Sequence, residues 1–147
     1  MIVNSITIRR AVADVFDYAS HFERHPEWQE DLKTAEFTGP PSVGATGTET
    51  RRIGPRTHTY EWRISEFERP RRLAFETLSG LIRPVGRMTF TPVDDGTRLD
   101  FEMELRPLGP TKLVAPLIAR QVRRSNDAHL AKFKELLEGG AAADVGW

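Results

Sequence analysis

Three polar side chains, Gln121, Ser125 and His129, recur every fourth residue along a stretch whose apolar neighbours mark a buried face. Residues four apart stand above one another on a helix, so the row faces one space together. A second group lies on an alternating stretch, where His58, Tyr60 and Trp62 share one side. Alternation on the preceding strand adds Arg52, close to the turn that joins it to His58; a local β-bulge would instead turn Arg52 out and Arg51 in. A histidine can act as general acid or base, and a tyrosine or arginine can hold a carbonyl or enolate oxygen during an aldol-type closure or dehydration. Blander roles stand beside these. His129 can donate to a backbone carbonyl, Ser125 can permit close helix approach, Tyr60 and Trp62 can fill a core, and Arg52 can be solvated. His21 and His25 lie beside Pro26 in a segment read as surface, with a structural or solvent role.

The element that carries the first group runs from Thr111 to Glu138 and reads as one helix about 40 Å long at roughly 1.5 Å per residue. At about 100° per residue, Val114, Ile118, Val122, Phe133 and Leu136 fall on one side, and Arg120, Arg123, Arg124, Asp127 and Lys134 on the other. Pro116 either starts this helix or kinks it. Gly139-Gly140 ends it, and 141–147 reads as a flexible tail on a single domain spanning 1–140.

A helix of that length needs a broad apolar surface, and the rest of the chain supplies strands. Ile2 to Ile8 alternates; Val12, Val15, Phe16 and Ala19 follow at helical spacing; His21 to Trp28 forms a short turn anchored by Phe22 and Trp28. Leu32 to Thr38, Val43 to Ile53, Thr57 to Phe67 and Arg72 to Leu78 read as strands, divided by Gly39-Pro40-Pro41, Gly54-Pro55 and Arg69-Pro70. A strand with Met88 and Phe90, the Asp94-Asp95-Gly96 hairpin, and Thr97 to Leu105 complete the sheet. Phe75, Met88, Phe90, Phe101 and Met103 join Tyr60 and Trp62 as the expected apolar wall of a ligand cavity.

With 147 residues, the chain can build a core without metal or disulfide support. Lys plus Arg (21) balances Asp plus Glu (21), so no net field favours nucleic acid or an anionic membrane. The absence of cysteine removes disulfides and thiolate chemistry and fits a cytoplasmic location. No apolar run approaches the roughly 20 residues of a membrane span, which argues against integral membrane association. Among the four histidines only His21 and His25 stand at an H-x-x-x-H spacing, in the segment read as structural, and no phosphate-binding glycine loop or nucleophile elbow occurs. No cofactor and no metal are therefore expected. Oligomeric state stays open, a weak homodimer included.

Ile8 with Val15-Phe16, Pro26 with Trp28, Val43-Gly44 with Gly47, the run 64–73 and the run 90–99 give an order that resembles the START-like helix-grip superfamily, also called SRPBCC. The match is nearest its polyketide cyclase/dehydrase and lipid-transport-like group of small bacterial proteins. The resemblance implies an α+β, START/Bet v-like helix-grip fold. In it a seven-stranded curved antiparallel sheet wraps around a long C-terminal helix, with two short helices after strand 1. It also implies a hydrophobic small molecule held between sheet and helix. Carriers, cyclases and Hsp90 ATPase co-activators share this fold, so three functions are expected as alternatives: a binding or transport protein, a polyketide cyclase/dehydratase-like enzyme, and a protein-interaction module.

Overall fold

A computed structural model describes residues 1–37 and 39–140. The chain runs β1 (Ile2–Ile8), α1 (Val12–Ser20), a 3-10 turn (Phe22–Glu27), β2 (Leu32–Glu36), β3 (Thr46–Ile53), β4 (Arg56–Glu68), β5 (Arg72–Thr77), β6 (Val85–Val93), β7 (Gly96–Glu104), a second 3-10 turn (Gly109–Leu113) and α2 (Ala115–Glu138). The seven strands form one antiparallel sheet in the order β1-β7-β6-β5-β4-β3-β2. From β2 to β7 each strand pairs with the next in sequence. The segment with α1 carries the chain from one sheet edge to the other, which leaves β1 and β2 as the two edges. The tail expected at 141–147 and the strand end expected at Thr38 lie outside the described residues.

Two irregularities re-aim side chains. Between Ile64 and Glu66 the β4–β5 register shifts, so Ser65 is the extra residue of a bulge. Trp62 and Ile64 point inward before it, and Phe67 instead of Glu66 does so after it. Glu66 turns out to pair with Arg72 at 3.5 Å and Arg87 at 3.1 Å. A second shift lies between Leu32 and Thr34.

One end of the concave face is closed by α1. Val15, Phe16, Tyr18 and Ala19 are fully buried there. Phe16 meets Phe67 and Phe90 edge-on, at 5.3 and 5.1 Å between ring centres. The Tyr18 ring stacks on Phe133 at 5.3 Å, and its hydroxyl donates to Glu27 at 2.8 Å. Each such aromatic burial is worth roughly 2 kcal/mol.

The last helix differs from the expected 111–138 span. Val114 is a non-helical N-cap with ψ of 2°, and α2 starts at Ala115 with Pro116 in its first turn, where the missing N–H costs nothing. Pro116 therefore begins the helix and does not kink it. Val114 is exposed and does not belong to the buried face. The face that packs is Asn126, Leu130, Phe133 and Leu137, from the middle of the helix to its C-terminal end. The helix docks on β1 through Asn4, whose Nδ2 donates to the Arg123 carbonyl (3.0 Å) and to Asp127 (2.7 Å). Arg10 donates to the Leu137 carbonyl at 2.7 Å, where a cation suits the helix C-terminus. Among the described residues no helix is long and apolar enough to cross a membrane.

Candidate functional site

The N-terminal half of α2 lacks the large buried side chains of its C-terminal half, so it stands off the sheet and leaves a cavity of about 390 Å³. Its sheet wall comes from Tyr60 and Trp62 on β4, Leu73 and Phe75 on β5, Met88 on β6, and Phe101 and Met103 on β7. Ile118, Gln121, Val122, Ser125, Asn126 and His129 form the helix wall. His25, Trp28, Gln29 and Asp31 close a third side. Two glycines make room for the rings: a Cβ at Gly47 would overlap the Trp62 indole, and one at Gly86 would overlap Phe75 and Phe101. Trp62 is held between Phe22 (4.6 Å) and a stacked Phe37 (5.5 Å).

Opposite this apolar wall is a charged cluster. The two-residue turn Gly54-Pro55 pairs Ile53 with Arg56, which sets Arg51 opposite His58, Glu49 opposite Tyr60 and Gly47 opposite Trp62. Cross-strand partners share a face, so Glu49 and Arg51 point toward the helix. Arg51 donates to Asp31 at 2.9 Å and to Gln29 at 2.8 Å, and approaches Glu49 at 3.3 Å. His129 brings Nε2 to 2.9 Å from Asp31 Oδ1. That oxygen is buried, and the His129 ring is the group that stands against it. Burial opposes the charged form of Asp31, but His129 and the Arg51 guanidinium outweigh it and hold the carboxyl well below its usual range.

His25 donates Nε2–H to the Ala19 carbonyl at 2.7 Å, because a carbonyl can only accept. Burial, helped by Arg51 and His21, pushes its pKa down to about 4, so the ring is neutral at pH 7. The Tyr60 hydroxyl is pushed up by burial, with Glu49 adding to the effect and Arg51 opposing it. Two further wall residues hold buried donors with no acceptor, Nε1 of Trp28 and Nδ2 of Asn126.

A family model described as polyketide cyclase / dehydrase and lipid transport matches residues 2–138. The chain belongs to that family. No curated protein matches it in sequence. Among solved structures it is similar to TTHA0849 from Thermus thermophilus, with a TM-score of 0.81 and 14% identity over 95% of this chain and 98% of that one. It also resembles the di-domain ARO/CYC StfQ from the steffimycin biosynthetic pathway, with a TM-score of 0.74 and 16% identity over 96% of this chain and 46% of that one. Ara h 8.0201 gives 0.70 and 12% over 92% and 95%. These likenesses place the fold as helix-grip.

In this member of the polyketide cyclase/dehydrase and lipid transport family, the structure brings Tyr60, Trp62, Phe75, Met88, Phe101, Met103, Gln121, Ser125 and His129 to one cavity. Two candidates, His58 and Phe90, sit elsewhere, and Arg52 lies at the cavity rim. His58 is exposed, stacked on Tyr60 at 6.2 Å and outside the wall; it shares the inward face but lies beyond the end of the cavity. Phe90 lies under α1 against Phe16, in the closed core. Arg52 lines the cavity only at its exposed rim, with its guanidinium on the Gly54 carbonyl at 3.3 Å, because the hairpin register gives the inward place to Arg51. His25 is a wall residue, which corrects its reading as surface. Asp31, Glu49, Gln29, Trp28 and Asn126 were not singled out as site residues. For Glu49 and Arg51 the signal was available in the two-residue turn; Gln29 and Asp31 lie in a loop with no period to read.

Proposed function

We propose that the protein binds a hydrophobic or aromatic small molecule in this cavity, as a carrier or binding protein. The observation that supports it is an open space of about 390 Å³ with an apolar wall drawn from four strands and one polar pole. That size lies in the roughly 300–1,000 Å³ range of small-molecule sites. Apolar surface supplies affinity, and the pole fixes orientation. Native mass spectrometry of the purified protein beside a denatured aliquot tests the reading. A retained small molecule, or saturable one-to-one uptake of N-phenyl-1-naphthylamine, is expected; failure of both overturns it.

One observation favours a catalytic version. His129 faces a carboxylate within the same cavity as Tyr60, an arrangement suited to proton transfer on an aromatic or polyketide substrate. The similar fold of the ARO/CYC proteins StfQ and BexL is compatible with it. His129→Gln and Tyr60→Phe should then abolish turnover while leaving the melting temperature in place, and full turnover in both variants removes this version. An interaction module calls for a filled interior, and the open cavity argues against it.

A further inference from the structure

We propose that the cavity takes an uncharged ligand bearing a hydroxyl or amide and rejects carboxylate-bearing amphiphiles such as fatty acids. The inference rests on the binding function proposed above and concerns the chemistry of the same site. Arg51 is the guanidinium on the inward face of β3, and it is already shared by Asp31 and Glu49. His129 is directed at Asp31 as well, and His25 is neutral. Arg52 stands at the rim, exposed and turned to the Gly54 carbonyl, where water and salt screen it.

An incoming carboxylate that takes the two Nη groups of Arg51 must displace Asp31 or Glu49, and the displaced group would be left half-buried beside a second anion. Uncompensated charge in such a place is strongly unfavourable. The wall also holds two donors without acceptors, on Trp28 and Asn126, and one buried carboxylate oxygen, on Asp31, against the His129 ring. A ligand carboxylate would serve the two donors but would add a third negative charge around one guanidinium. A hydroxyl or amide can accept from an N–H and donate to Asp31 with no charge added.

The test is displacement of N-phenyl-1-naphthylamine at pH 7 by three ligands with one ring system: 1-naphthol, naphthalene and 1-naphthoate. The expected order is naphthol, then naphthalene, then naphthoate, with naphthoate at least tenfold weaker than naphthol. Naphthoate binding as tightly as naphthol overturns the charge selection, and naphthalene matching naphthol overturns the hydrogen-bonding group. Glu49→Gln, and Glu49→Gln with Asp31→Asn, release Arg51 and should tighten naphthoate at least fivefold; no tightening in either variant also overturns the proposal. Ser125→Phe separates this outcome from failure of the binding function itself. If the probe does not bind the natural protein, or binds Ser125→Phe equally, the cavity is not the binding site and the earlier reading fails.

Discussion

His129, on α2, stands 2.9 Å from Asp31, the residue immediately before β2. Because β1 and β2 are opposite edges of the sheet, this contact completes a span. The helix is tied to β1 by Asn4 and by Lys134, which donates to the Thr7 carbonyl at 2.6 Å, and to the β2 side by His129. The roof of the cavity is thereby held at both edges while its middle stands clear of the floor.

Arg51 is the hub of the polar pole, so its removal should cost more than removal of the whole cluster. Arg51→Met leaves Asp31 and Glu49 facing one another and is expected to lower stability by about 1–3 kcal/mol, less than a fully buried pair because Asp31 is 36% exposed. Combining it with Asp31→Asn and Glu49→Gln should recover most of that loss. Urea denaturation of the single and triple variants measures both.

Acid should destabilise the protein in two separable steps. His25 has its folded pKa lowered from 6.5 to about 4, so its neutral form contributes stability above pH 6.5 that is lost as pH falls to about 4, on the order of 3 kcal/mol in all. Asp31 is depressed below its usual 3.8, so its contribution is present above that value and is lost further into acid. His25→Gln, which keeps a donor near the Ala19 carbonyl, should flatten the stability profile between pH 6.5 and 4 and leave the lower step in place. An unchanged profile would show that His25 titrates normally.

Phe90 and Met103 should behave in opposite ways. Phe90 is 2% exposed and packed on Phe16, so Phe90→Ala is expected to lower stability by about 3–5 kcal/mol without changing probe affinity. Met103 is partly buried in the cavity wall, so Met103→Ala should cost less stability and shift probe affinity at least threefold. Denaturation and fluorescence titration on the same preparations distinguish the two.

Gly47→Ala should disturb floor and ligand together. The new methyl would meet the Trp62 ring and the Glu36 carbonyl at 2.8 Å, and that backbone oxygen is held in the sheet. Trp62 must move, at about 1–3 kcal/mol, and probe affinity should fall. Trp62 fluorescence reports the shift.

The elements themselves were legible from local chemistry. Alternation located the strands, Asp94-Asp95-Gly96 marked a hairpin whose Asp95 has φ of 65°, and apolar spacing marked the last helix. Alternation also assigned Trp62, Phe101 and Met103 to the inner face, because side-chain direction along a strand has a period of two.

The polar pole was decided by tertiary structure. Whether Arg51 or Arg52 points inward depends on cross-strand register, which the two-residue turn sets and a single added residue would reverse. A face assignment also carries no information about where along a strand the cavity begins, so Phe90 went to the closed core and His58 to the solvent-exposed end. Asp31 and His129 lie far apart in the chain, one in an aperiodic loop and one on a helix. Only the curl of the sheet under α2 brings the two side chains within 2.9 Å.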